Sequence, residues 1–331
     1  MRTLKIWRLA LAFIALSGLM LSGLSGSASA VGGNGLRVSP VRPPDIIIEP
    51  GKNFTVNIVV TNITTEPANL QVIINDFTAS SDESGQPAIL LDPGQFSPKH
   101  SLKRFIKPLP NFSLKAGEQK SIPVTITVPG NATGGGYFGT VRFAPASAVN
   151  DPDKNVTLAG SVGSLLLVRV PGDIKSQVSL ASFDVRQGGV PKNLFFSNKQ
   201  ISSVVRFQNE GNIQEQPFGK IQLKDRKNKV LAEYEINDIN PRGNILPDTV
   251  RKFETDLDKI GSFGMYKLVG NFGYGTNGQL LSASTTFYVV PFILIIAFLS
   301  LVALIIFLVF GLPRLIRAYN ERIIKQARRR R

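Results

Sequence analysis

Residues 54–61 read FTVNIVVT, and this stretch decides the fold class. Phe54, Val56, Ile58 and Val60 fall on one side of an extended chain, because successive strand residues point to opposite faces. Pro50-Gly51 supplies the turn before it. The same reading extends outward. Residues 69–77 (NLQVIINDF) form a partner strand, and residues 121–128 (SIPVTITV) turn Ile122, Val124, Ile126 and Val128 inward. Pro123 lacks an N–H to donate, which assigns that run to a sheet edge. Residues 136–143 follow a glycine turn, and residues 162–170 close the region. The intervening segments 82–98 and 144–154 are rich in Ser, Asp, Pro, Gly and Asn, as loops are. No segment before Phe287 keeps a capped helical period, so short strands at this spacing predict an antiparallel sandwich.

Pro171-Gly172 marks a boundary, after which the pattern starts again. Strands are predicted at 177–185, 202–208, 219–223, 229–236, 249–253, 265–272 and 279–289. Val204-Val205-Arg206-Phe207 leads into Asn209-Glu210-Gly211-Asn212 much as Val59-Val60-Thr61 leads into Asn62. The predicted fold is all-β: two tandem immunoglobulin-like antiparallel β-sandwiches, residues 31–172 and 173–286, followed by one transmembrane α-helix. Immunoglobulin-like here means architecture, since neither half has the Cys and Trp core of antibody domains.

The two ends give the topology. Arg2, Lys5 and Arg8 precede an apolar run at 9–21, and Ala28-Ser29-Ala30 forms an A-x-A cleavage site. Residues 1–30 are therefore expected to be a signal peptide, cut after Ala30. Residues 289–312 contain no charge, and as a helix would measure about 36 Å. A hydrocarbon core of about 30 Å is spanned by such a segment with some tilt. The spanning region is assigned to residues 287–313 and the basic tail to 314–331. The tail carries Arg314, Arg317, Arg322, Lys325 and Arg328 to Arg331 against Glu321 alone. Positive residues stay inside, which puts the C-terminus in the cytoplasm and the sandwiches outside a plasma membrane. Arg314, Arg317, Arg322, Lys325 and Arg328 are candidate contacts to anionic inner-leaflet lipid.

The net charge of +15 then loses its apparent meaning. Three of those charges belong to the leader and seven to the tail. The remaining five are ordinary for an exported region of this size and give no support to a nucleic-acid partner. A mildly cationic ectodomain suits an anionic envelope polymer. There is no Cys, so each domain must be stabilised by its core, and one His (His100) excludes zinc sites of the Cys/His type. No catalytic, metal or cofactor site is expected: a triad would need His100 as base, in a polar loop. Tyr137 and Phe138, beside Gly134-Gly135-Gly136, are the candidate ligand-facing residues. Neighbouring strand residues point to opposite faces, so one ring packs inward and the other could stack on a sugar.

Several short motifs occur in a recognisable order in the first half. A strand ending Val59-Val60-Thr61-Asn62 is followed by a partner strand and a Gly/Ser/Asp-rich loop. Leu114-Lys115-Ala116-Gly117-Glu118 then precedes the strand ending Val128-Pro129, and Gly134-Gly135-Gly136-Tyr137-Phe138-Gly139 opens another. This order resembles the peptidoglycan-binding domain of WxL-interacting surface proteins, which also carry a second β-sandwich, a C-terminal membrane helix and a short basic tail. The second half matches that family's host-binding domain by position. The resemblance implies non-covalent attachment to cell-wall glycan and to a protein partner on the surface. The expected function is thus a membrane-anchored cell-surface protein binding peptidoglycan or another anionic wall polymer, surface proteins, or both. The alternatives are an exported wall-modifying hydrolase and a structural scaffold of an envelope complex.

Overall fold

The computed structural model describes residues 35–146 and 160–328. Ala28 and Ala30, at the expected cleavage site, lie outside the described residues. The first sandwich comprises β1 (Leu36–Ser39), β2 (Ile46–Ile47), β3 (Asn53–Asn62), β4 (Ala68–Ala79) and β5 (Pro87–Ile89). It continues with β6 (Phe112–Leu114), β7 (Gln119–Thr127), β8 (Gly135–Pro145) and β9 (Val162–Val170). One sheet runs β1-β3-β7 and the other β2-β9-β8-β4-β5, with β6 also on β4. The alternation is realised as predicted: Val56, Ile58 and Val60 on β3 and Ile122, Val124 and Ile126 on the adjacent β7 line the inner face of one sheet in one core. Phe54, near the start of its strand, is the exception at 47% exposed. Each fully buried Ile or Val stabilises the sandwich by about 1.5–3 kcal/mol. Asp76 is wholly buried on β4, and its carboxylate accepts the backbone N–H of Ser97 (2.9 Å) and Lys103 (2.8 Å). That pins the long 90–111 connection against the sheet.

The second sandwich comprises β10 (Val178–Gln187), β11 (Val190–Pro191), β12 (Leu194–Phe195), β13 (Ile201–Asn209) and β14 (Phe218–Asp225). β15 (Val230–Ile236), β16 (Val250–Asp256), β17 (Gly264–Tyr274) and β18 (Gln279–Val289) complete it. Its sheets run β11-β10-β13-β16 and β12-β18-β17-β14-β15. The two domains share one topology. In each, the first strand is antiparallel to the second long strand (β1 to β3, β10 to β13), and a short piece then pairs in parallel with the last strand. Both sandwiches are otherwise antiparallel. Phe207, Phe272 and Phe287 fill the second core, with Phe207 and Phe272 meeting edge to face at 5.0 Å.

Phe287, Tyr288 and Val289 belong to β18, so the strand continues past the boundary expected at 286. Phe287 and Val289 are fully buried in the second core. Pro291 caps the helix that follows. It runs as α-helix over Phe292–Ile306, as a π turn over Phe307–Gly311 and as α-helix again over Leu312–Arg328. Among the described residues this is the one helix long and apolar enough to cross a membrane.

Candidate interdomain binding cleft

The β4–β5 hairpin reaches from the first sandwich onto the second. At its tip the Asp82 carboxylate accepts the Ser80 hydroxyl and both the backbone N–H (3.0 Å) and the hydroxyl (2.7 Å) of Ser84. These bonds, Ser80's first, lower the Asp82 pKa to about 2. The turn they stiffen puts Glu83 at φ +61°, a conformation that costs a non-glycine residue about 1 kcal/mol or more. The cost is offset by two contacts. The Glu83 carbonyl accepts the N–H of Lys252 on edge strand β16 (2.9 Å). Its carboxylate takes both Nε (2.7 Å) and Nη2 of Arg206 on β13. The Arg206 guanidinium holds the Glu83 carboxyl below its usual range.

Arg251, one residue before Lys252, threads between two glycines. A Cβ on Gly85 would lie 2.2 Å from Arg251 Cζ, and one on Gly243 would lie 2.6 Å from its Nη1. Arg251 Nη1 donates to the Asn244 carbonyl at 2.8 Å, while its Nε is buried without a partner. Burial, and then the nearby Arg42 guanidinium, push the Arg251 pKa down. Arg42 donates from Nη1 to the Arg242 carbonyl at 3.2 Å, tying the end of the first strand to the second domain. Both guanidinium groups border a cavity of about 240 Å³ between the domains, whose apolar wall includes Phe77, Leu167 and Leu246. Among the described residues no carboxylate pairs with Arg42 or Arg251. Two planar donors without a counter-charge, set beside an apolar wall, favour a carboxylate or phosphate with a small apolar neighbour.

The floor of this cleft is a third, interdomain core. Phe77, Phe138 and Leu167 from the first sandwich pack with Leu246 from the second. This corrects the reading of Tyr137 and Phe138 as ligand-facing. The two rings do take opposite faces of β8, but both faces are covered. Tyr137 is 7% exposed in the first core with its hydroxyl on the Thr133 carbonyl, and Phe138 is 2% exposed against the second domain. Tyr137 nevertheless borders a surface pocket of about 270 Å³ with Arg104, Phe105 and Thr133. The glycines before them also serve packing more than turning. Gly134 lies against Gly172, where a Cβ would approach 2.8 Å, and the Gly136 N–H donates to the Asn212 carbonyl at 2.7 Å. His100 is half-buried rather than solvated, its Nδ1 2.7 Å from the Gly136 carbonyl oxygen. No group of three or more His, Cys, Asp or Glu suited to a metal occurs among the described residues.

Arg314, Arg317 and Arg322 are exposed along the helix, and Lys325 and Arg328 continue its backbone. Arg42, Glu83, Arg206 and Arg251 escaped the sequence reading. One signal of the interface was available: Leu165-Leu166-Leu167-Val168 breaks the alternation, as a strand buried on both faces does.

No family model and no curated protein matches the chain. Among solved structures, a chaperone–tip adhesin complex of CFA/I fimbriae biogenesis is similar at 13% identity and TM-score 0.37, covering 75% of this chain and 97% of that one. The class 5 fimbriae chaperone CfaA is similar at 13% and 0.35, over 77% and 99%. The CsuC–CsuE pre-assembly complex of Acinetobacter baumannii pili is similar at 16% and 0.32, over 66% and 89%. At such values neither partner nor activity passes to this chain. The class rests on its own strands: an all-β protein of two tandem immunoglobulin-like sandwiches with a C-terminal apolar helix.

Proposed function

We propose that this chain is a single-pass plasma-membrane protein that holds two sandwiches outside the cell and binds an anionic wall polymer or surface partner in the interdomain cleft. The observation that carries this reading is the pair of guanidinium groups, Arg42 and Arg251, facing one cavity with no carboxylate beside them. A buried donor without a partner is costly, and an incoming anion supplies what Arg251 Nε lacks. The resemblance to WxL-interacting surface proteins supports peptidoglycan as the polymer. The helix supplies the anchor, and the basic tail sets the orientation while adding about 1 kcal/mol per residue held near anionic lipid.

The test uses the full chain in detergent and purified wall sacculi. Retention should fall roughly tenfold with Arg42→Glu, the loss of one charge-assisted contact, and less with Arg251→Lys. Equal retention by both variants and the parent would remove the cleft from the account. Glycan cleavage by the parent would replace binding with the hydrolase reading. Retention lost only on removing residues 314–331 would favour the scaffold.

A further inference from the structure

The junction between β18 and the helix fixes the height of the second sandwich above the lipid. Only Val290 and Pro291 separate the last strand residue from Phe292, the first helical one. The uncharged helical stretch 292–312 is about 31 Å long, the thickness of the hydrocarbon layer itself. If that stretch spans, Phe292 has to sit at the outer boundary of the hydrocarbon. Phe196 stacks on Phe292 with centroids 4.2 Å apart, so its ring lies at the same depth. The loop carrying it is held there by backbone bonds: Tyr288 N–H to the Asn193 carbonyl and Val290 N–H to the Phe195 carbonyl, both 2.8 Å.

On the neighbouring strand, Gly264 pairs with Val289, which places Phe263 just beyond the end of the sheet on the same side. Phe263 is 64% exposed and Leu194 and Tyr288 are each 46% exposed. The exposed rings of Phe196, Phe263 and Tyr288 near the helix entrance, with Leu194 among them, match the aromatic belt found at membrane interfaces.

We infer that this end of the second sandwich is a lipid-docking surface, with Phe196 and Phe263 seated in the outer leaflet beside the start of the helix. The sandwich is then clamped to the bilayer rather than carried on a flexible stalk, and the cleft above it is presented at a fixed height and tilt. The inference rests on the spanning reading of the helix, and the experiment separates the two.

Single-tryptophan versions of the full chain, all in a Trp7→Phe background, are placed in phosphatidylcholine–phosphatidylglycerol vesicles with and without brominated acyl chains. Phe196→Trp and Phe263→Trp should lose about half or more of their emission to the bromines and be blue-shifted, as rings at the interface are. Val302→Trp, in mid-helix, should be quenched at least as strongly, and Phe54→Trp, in the first sandwich, should be unaffected. If Val302→Trp is quenched while Phe196→Trp and Phe263→Trp behave like Phe54→Trp, the docking surface is refuted and the spanning helix stands. If Val302→Trp is not quenched, both fall.

Discussion

The two sandwiches are built on one plan and finished differently. In each, the second long strand ends in a fully buried asparagine that organises the loop beyond it. Asn62 donates to the Glu66 (2.7 Å) and Lys115 (3.0 Å) carbonyls and accepts from Thr64. Asn209 donates to the Ile213 (2.7 Å) and Ile245 (2.9 Å) carbonyls and accepts from Gly211. A short amide thus ties together backbone groups of the loop beyond the strand. The difference lies outside the cores. The first sandwich turns the outer face of one sheet, through Phe77, Phe138 and Leu167, against its partner. The second turns an apolar end toward the helix. Similar frameworks therefore differ in what covers their remaining surfaces: the first supplies one wall of a cleft, and the second joins that cleft to the apolar helix.

The sharpest way to break this comparison is to empty one core and watch the other. Phe143→Ala removes a fully buried ring from the first core and should cost about 4 kcal/mol. Because the domains share an interdomain core, calorimetry of the full chain should show both melting together at lower temperature. A first domain that melts alone, leaving the second unchanged, would show that the cleft floor couples nothing.

The asparagines come next. Asn209→Ala strands the Ile213 carbonyl and the Gly211 N–H, takes one of two donors from the Ile245 carbonyl, and should cost about 3 kcal/mol in denaturant titrations. Asn62→Ala should cost less, because its bonds are only partly buried. The reverse order would contradict the shared device.

The hairpin dock is tested by two glycines of similar φ. Gly85→Ala meets both the left-handed backbone (φ +78°) and the Arg251 guanidinium, and should cost about 2 kcal/mol. Gly117→Ala (φ +70°) meets open space and should cost about 1 kcal/mol. Equal costs in parallel unfolding curves would mean that Arg251 moves aside freely.

The smallest effect is acid-dependent. Glu83 has its carboxyl pKa lowered from 4.5 by Arg206, so its contribution is fully present above 4.5 and disappears as pH falls through the lowered folded value. Stability should therefore drop with acid in that window, and Glu83→Gln should remove about 1 kcal/mol at neutral pH and flatten the drop. Asp82 titrates nearby, at about 2, so the difference between parent and variant is the quantity to follow.

Long strands were readable because their cores impose period two. β9 spans Val162–Val170 as predicted, β18 spans Gln279–Val289 as predicted, and β3, β4, β7 and β8 fall within a few residues of expectation. The short pieces β2, β5, β11 and β12 were not readable, since two or three residues carry no period. The cleft was legible only in the unbroken Leu165 to Val168 run. Its charged members, Arg42 and Arg251, and the docking pair Glu83 and Arg206 look like ordinary surface residues in a sequence.

The chain's own order of residues determined the alternating faces, the restart after Pro171-Gly172 and one long uncharged helical stretch followed by arginines. Those are local patterns, set by strand pleat and by the thickness of lipid. Tertiary packing alone decided that Phe138 meets Leu246 and that Arg42 reaches the backbone of Arg242, 200 positions away. Periodicity tells a strand which side is apolar. Which body comes to cover that side depends on how two finished sandwiches fit together.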